Sequence, residues 1–324
     1  MEETPTLSVI VPAYNIKGYI RQAVESALRQ TWRELEVIVV DDGSSDGTLE
    51  GLHDIGDHRL RRILQAHAGL AAARNTGIQA AKGRYLGFLD GDDLWARTKA
   101  ERHLSFLRDH PEIDVTFSYA FMIDESGREI AAIESRPAGV VSFQDLLIDC
   151  PHCSAVVRRE ALERAGPFDT GLLGSEDLDM WLRIARQRSG NMYCIPEFLA
   201  FYRRRGGQLS ADWRREKESW QQLYEKFSRL APEEIRIGED RANHARHRYY
   251  AFLAYEKKRY GEALHLLQQS VRFAPWEALF DGRTWSLTAA CLSGCLLPPG
   301  IHQFLRHRTA QWRSRSRERD QQSG

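Results

Sequence analysis

The sequence predicts an α/β fold, a mostly parallel sheet flanked by helices, followed by an all-α C-terminal extension. Three observations carry that expectation. Short apolar, β-branched runs alternate with segments of helical periodicity over roughly the first two hundred residues. The early runs each end in a polar cluster: "PAYN", "DDGSSDGT" and "DGDD". Beyond residue 212 strand signals largely stop, and helices with many Arg, Glu and Trp take over. Buried strands separated by amphipathic helices pair in parallel through right-handed crossovers, and ligands gather at the carboxyl ends of such strands. The three polar clusters are therefore expected at one sheet edge.

"LSVIV" (7–11) is the first strand, closed by Pro12. "IRQAVESAL" places Ile20, Val24, Ala27 and Leu28 on one helical face. "LEVIVV" (35–40) is the second strand. "AGLAAARNTGIQAAKG" follows as a helix ended by Gly83, and a third strand delivers Asp90. "VTFSYAFMIDESGREIAAI" reads as a hairpin about Glu125 to Gly127. "SAVVRREALERAG" is strand then helix, and "GSEDLDMWLRIARQ" is a helix with Leu178, Trp181, Leu182 and Ala185 inward and Ser175 as N-cap. "EFLAFYR" is the last strand.

At 324 residues and 42% hydrophobic, the chain can bury one large core or two moderate ones. Lys+Arg and Asp+Glu each number 45, so no global field points to nucleic acid. Five scattered cysteines argue against a secreted disulfide scaffold. "MEETPTLSVIV" runs from acidic residues straight into a strand without a signal-peptide pattern. No uninterrupted apolar run reaches the roughly 18 to 20 residues of a membrane helix. The expected setting is the cytoplasm, with peripheral contact at the inner face of the cytoplasmic membrane as a variant.

Asp90, Asp92 and Asp93 crowd the tip of a buried strand in "RYLGFLDGDDLW". Like charges so close repel unless a cation or a set of donors receives them. A divalent cation site and an acidic turn with a helix cap are the two readings.

"SVIVPAYN", "VVDDGSSDGT", "AARNTG", "YLGFLDGDDLW", "GPFDTGLLGSEDLDMWLR" and "FYRRRGGQLS" together resemble, in order, the motifs of family 2 glycosyltransferases of the GT-A fold, over roughly residues 7 to 210. The resemblance implies an inverting transferase with a nucleotide-sugar donor, expected to be a uridine diphosphate sugar. The implied acceptor is a glycan or lipid-linked hydroxyl, in bacterial surface polysaccharide synthesis.

Under that resemblance Asp42 accepts a hydrogen bond from the base, which suits an acceptor-only carboxylate facing a base N–H. A turn-capping Asp in "DDGSSDG" is the alternative. Pro12 and Tyr14 pack on base or ribose, and Arg74 reaches either a phosphate or Asp42. Asp90 and Asp92 match the D-x-D signature for Mg²⁺ or Mn²⁺, a hard cation needing few protein carboxylates when diphosphate and water complete its shell. Asp92 is the direct ligand; Asp90 serves ribose or a metal-bound water; Asp93 caps a helix starting near Leu94. Asp177 is the general base and Glu176 its neighbour in the first helical turn, where acids are favoured on dipole grounds alone. Trp181 and Arg183 support them. One departure stands out. Arg205 occupies the place where relatives often carry a histidine, so it can serve a diphosphate but cannot ligate the cation. "GGQLS" after it reads as a loop able to close over the donor.

"CPHC" (150–153) precedes a strand rather than opening a helix, so a redox motif is disfavoured, and no second CxxC completes a zinc site. Residues 245–279 resemble a single tetratricopeptide-type hairpin, with Tyr260, Gly261, Ala263, Leu264, Ala274 and Pro275 in place. Residues 284–301 are apolar but interrupted by Pro298 and Pro299, and a basic tail follows; together 284–319 suit an anionic membrane surface or an ordinary core helix with a tail. The expected domains are 1–212, the helical 213–305, and a basic, disordered 306–324. The rival functions are an inert scaffold recruiting partners through the hairpin and a nucleotidyltransferase, whose Gly-rich phosphate loop "SVIVPAYN" lacks.

Overall fold

The computed structural model describes residues 5–134, 138–151, 154–206, 208 and 212–297. Residues 1–208 with 219–237 form one compact unit, and 209–218 with 238–324 form another.

In the first unit, β1 (Leu7–Ala13), β2 (Leu35–Asp41) and β3 (Leu60–Leu64) alternate with α1 (Ile20–Leu28) and α2 (Leu70–Ala80) before β4 (Tyr85–Phe88). β1 and β2 are buried along their whole length, as their continuous apolar runs require. The buried face of α1 contains Ile20, Val24, Ala27 and Leu28, with Ala23 between them. Gly77 lets α2 lie close on β1: a Cβ there would meet the Ile10 side chain, its Cγ1 at 3.3 Å. β3 carries no continuous apolar run and was not expected. It is an edge strand in which only Leu60 is fully buried, and Arg61 and Arg62 bond to Glu36, Ala80 and Leu52 carbonyl or carboxylate oxygens. The strand leading to Asp90 is consequently the fourth, not the third.

β5 (Leu94–Trp95), α3 (Lys99–Asp109), β6 (Val115–Ile123) and β7 (Glu129–Ile133) come next, with the expected hairpin between β6 and β7. β8 (Gly139–Val140), α4 (Phe143–Ile148), β9 (Val156–Arg158), α5 (Arg159–Ala165), α6 (Glu176–Ala185) and β10 (Met192–Arg203) complete the α/β portion. The strands form one sheet in the order β3-β2-β1-β4-β9-β6-β10-β5, with β7 on β6 and β8 on β10. β1, β2, β3 and β4 pair in parallel, as does β6 with β10. β9 runs antiparallel to both β4 and β6, and β5, β7 and β8 add antiparallel edges, so the whole sheet is mixed. Helices flank it. α6 packs through Trp181, whose ring meets Phe88 and Phe117 edge-on at centroid distances of 6.0 and 5.6 Å.

α7 (Trp213–Leu230) and α8 (Pro232–Glu256) follow; residues 219–237 belong to the first unit. The second unit is all-helical over its described residues, with α9 (Tyr260–Phe273), α10 (Pro275–Phe280) and α11 (Gly282–Leu296). α8 and α9 form the expected hairpin. Its turn closes with Lys258 left-handed at φ 59°, Arg259 N donating to Ala254 O and Lys258 N to Tyr255 O. His244 and Ser270 tie the two helices, Ser270 Oγ donating to His244 O at 2.8 Å. Among the described residues no helix is long and apolar enough to cross a membrane. His152 and Cys153 of "CPHC", most of "GGQLS", and the tail from Pro298 lie outside the described residues.

Candidate active site

The polar clusters after β1 and β2 are clasped together by hydrogen bonds. Asn15 N donates to Ser44 Oγ at 2.9 Å, Ser45 N to Asn15 Oδ1 at 2.9 Å, and Lys17 N to Asp46 Oδ2 at 3.0 Å. β4 is the other parallel neighbour of β1, so Asp42 and Asp90 stand at the same sheet edge, about 10 Å apart by strand spacing. The three clusters therefore meet as the parallel topology requires.

Asp42 is buried, and its carboxylate accepts four donors. Oδ1 receives Gln65 Nε2 at 2.6 Å and Ala68 N at 2.9 Å; Oδ2 receives Gly69 N at 2.8 Å and lies 2.8 Å from His67 Nδ1. His67 Nδ1 also faces Asp42 O at 3.1 Å. Both neighbours only accept, so Nδ1 carries the proton. The imidazole stacks on Tyr14 with centroids 4.2 Å apart, and both rings are open to solvent. Pro12 is buried within β1. Gln65 and His67 were not anticipated. The aromatic and amide flanking the "AGL" helix start were the available signal.

Arg74 is 2% exposed and bridges two elements. Its Nη1 donates to Glu176 Oε1 at 2.6 Å and its Nη2 to Asp90 Oδ1 at 2.9 Å, with the Phe168 ring 5.5 Å beneath the guanidinium. The expected reach to Asp42 is not what the chain adopts, because the loop before α2 supplies that carboxylate. Asn75 pins the same region, exchanging hydrogen bonds with Phe168 N and O at 2.8 and 2.9 Å.

The acidic loop after β4 is held by arginines from the end of β10. Arg203 is fully buried; its backbone N donates to Asp93 Oδ1 at 2.8 Å and its Nε to Asp92 O at 2.8 Å. Arg205 Nε donates to Asp92 Oδ2 at 2.7 Å. Burial, and then the charges of Asp92 and Asp90, push the Asp93 carboxyl well above the usual range. Asp93 caps no helix: Leu94–Trp95 is strand, and α3 starts only at Lys99. Its carboxylate turns inward to serve the Arg203 backbone, whereas the Asp90 and Asp92 side chains keep 26% and 15% exposure. Gly91 makes the turn possible, since a Cβ there would stand 2.9 Å from Pro12 O.

Glu176 and Asp177 open α6. Burial raises the Glu176 carboxyl, against the pull of Arg74 and with the neighbouring Asp177 charge. Asp177 is half-buried, and among the described residues its carboxylate takes one hydrogen bond, from Leu178 N at 2.7 Å. Ser175 precedes α6 in the left-handed conformation at φ 56° and does not cap it with its side chain; a capping hydroxyl needs extended backbone. Arg183 donates to Asp179 Oδ2 at 2.9 Å and to Pro167 O at 3.0 Å. Lys226 holds the other side of buried Asp179 at 2.6 Å.

The partly exposed Asp90 and Asp92 carboxylates suit a hard divalent cation whose shell a diphosphate completes. Among the described residues no group of three or more His, Cys, Asp or Glu side chains forms an all-protein cage. Asp90 and Asp92 are the residues available to hold such an ion.

Comparison with known proteins gives a consistent family. The family model described as "Glycosyl transferase family 2" matches residues 8–166. The Escherichia coli UDP-Glc:alpha-D-GlcNAc-diphosphoundecaprenol beta-1,3-glucosyltransferase WfaP is 34% identical over 212 residues, covering 64% of this chain and 80% of that protein. Among solved structures, Staphylococcus aureus TarS 1–349 in complex with UDP-GlcNAc superposes with a TM-score of 0.60 at 17% identity, covering 96% of this chain and 91% of that one. The mannosyltransferase PcManGT from Pyrobaculum calidifontis, in complex with GDP-Man and Mn2+, gives a TM-score of 0.58 at 22% identity, covering 90% and 86%. These two likenesses show the fold.

Proposed function

The chain belongs to glycosyl transferase family 2, and on that premise we propose that it moves a sugar from a uridine diphosphate donor to a hydroxyl of a lipid-linked or glycan acceptor in bacterial surface polysaccharide synthesis. The observation that carries this reading is the Glu176–Arg74–Asp90 bridge, which brings the start of α6 to the acidic edge of the sheet. WfaP, by its name, acts on such a lipid-linked acceptor from a UDP-sugar, and TarS was solved with UDP-GlcNAc.

The base is read at the Tyr14–His67–Asp42 corner. All four acceptor positions of Asp42 are taken, so a uracil N–H reaches it by displacing Gln65 or His67, the two side-chain donors. Pro12 backs this corner from within β1. Arg74 holds Asp90 in place for the ribose side of the donor. Mg²⁺ or Mn²⁺ at Asp92, with Asp90, would offset charge on the leaving diphosphate. Asp177 accepts the proton of the attacking acceptor hydroxyl, opposite the leaving group, and the product has inverted configuration. Asp177 stands in the first turn of α6, where acids are favoured on dipole grounds. Trp181 and Arg183 fix the orientation of α6 beneath it.

Peripheral membrane contact from the cytoplasmic side belongs to the same reading. Its support is the exposure of large apolar side chains on α10 and α11, with Trp276 at 78%, Phe280 at 85% and Leu296 at 77%. Slow hydrolysis of UDP-sugars by purified protein tests the assignment. It is expected with Mn²⁺ and abolished in Asp92→Asn; equal hydrolysis by the variant contradicts it.

A further inference from the structure

Three arginines face the acidic loop, and they are not equivalent. Arg74 is 2% exposed and bridges Glu176 to Asp90. Arg203 is fully buried and spends its guanidinium on Asp92 O, Asp124 O, Glu125 O and Gln22 Oε1. Both are fixed by several bonds at once. Arg205 is different. Its side chain keeps 22% exposure, and among the described residues its guanidinium makes one hydrogen bond, from Nε to Asp92 Oδ2 at 2.7 Å. The Tyr19 ring lies 5.7 Å from its centre. Among the described residues the terminal N–H fork of Arg205 is thus uncommitted, and a planar fork is the group that suits phosphate oxygens.

We propose that Arg205 is the resident counter-ion of Asp92 and transfers to the donor diphosphate, so that nucleotide binding releases Asp92 to the divalent cation. The inference rests on the donor and metal reading above and deepens it. Without nucleotide, a cation approaching Asp92 competes with a guanidinium already 2.7 Å away. Arg203 Nε holds the Asp92 backbone carbonyl, so the loop stays in place while the carboxylate exchanges the nearby positive guanidinium, which disfavours a second cation, for the metal. Once a diphosphate is present, Arg205 has a second anionic partner within the same site, and exchange between the two costs little because one charged hydrogen bond replaces another. The two ligands then bind with positive coupling, which by linkage is reciprocal. A guanidinium cannot ligate a cation, so the chain's own positive charge at Arg205 acts as a competitor for Asp92.

The test is Mn²⁺ binding followed by the electron paramagnetic resonance signal of the free ion, with and without UDP, and UDP binding by calorimetry in chelator. Wild type is expected to bind Mn²⁺ weakly alone and more tightly with UDP. Arg205→Ala is expected to bind Mn²⁺ alone about tenfold more tightly, because the competitor is gone, and UDP in chelator about tenfold more weakly. Arg205→Lys keeps the charge without the fork, so it is expected to resemble wild type for Mn²⁺ alone and Arg205→Ala for UDP. Unchanged or weaker Mn²⁺ binding by Arg205→Ala, at an unchanged melting temperature, overturns the proposal. If Arg205→Ala is destabilised, the Arg205→Lys pattern decides in its place. Failure of wild type to bind UDP and Mn²⁺ at all sinks the donor and metal reading itself, which separates the two failures.

Discussion

Arg74 and Glu176, 102 positions apart, meet at 2.6 Å in a buried ion pair that ties α2 to the first turn of α6. The same guanidinium holds Asp90. This one side chain therefore links the strand-end edge to the helix carrying the candidate base. Breaking it by Arg74→Met leaves two carboxylates facing each other without their cation. The expected cost is about 3–5 kcal/mol of unfolding free energy, measured by urea denaturation. Glu176→Gln keeps a hydrogen-bond acceptor there and should cost clearly less.

Asp177 is expected to matter for chemistry rather than for folding. Among the described residues its carboxylate bonds only its own neighbour's N–H, so Asp177→Asn leaves the core untouched. Transfer should fall by a factor of about 10²–10⁴ while UDP affinity and melting temperature stay near wild type. Calorimetry with UDP beside an acceptor assay separates these outcomes.

Gly91 sets the shape of the acidic turn. A methyl group there would press on the Ile16 side chain and on Pro12 O, so Gly91→Ala must push Asp90 or Asp92 out of place. We expect a loss of about 1–3 kcal/mol in stability with loss of Mn²⁺-dependent UDP binding.

The second unit has its own pH signature. Burial alone would raise Asp281, but the Arg248 charge, the Thr284 hydroxyl and the Arg283 N–H together lower its pKa to about 2. A carboxylate depressed in the folded state adds stability that is full above its unfolded value near 4 and is lost as pH falls from there towards 2. Asp281 also caps α11 through Arg283 N. Thermal melts of wild type should weaken over that window, and Asp281→Asn should remove this part of the dependence.

Much of this architecture was legible in the sequence. Continuous apolar runs gave β1 and β2, helical periodicity gave α1, and the order of the polar clusters put them at one sheet edge. The failures share a cause: the deciding interactions join residues far apart in sequence. β3 is held at the edge by Arg61 and Arg62 contacts that no apolar pattern announces. Asp93 looked like a helix cap because its partner, the Arg203 backbone, lies 110 positions away. Ser175 has capping chemistry but the wrong backbone conformation, which composition does not encode. The Asp42 cage depended on where the loop carrying Gln65 and His67 comes to rest.

The most direct measurement is the thermal shift produced by UDP on wild type and on Asp92→Asn, each with Mn²⁺ and with chelator. Stabilisation of wild type is expected to be large with Mn²⁺ and small in chelator, with no added effect of Mn²⁺ on the variant. Equal shifts in all four conditions would contradict it.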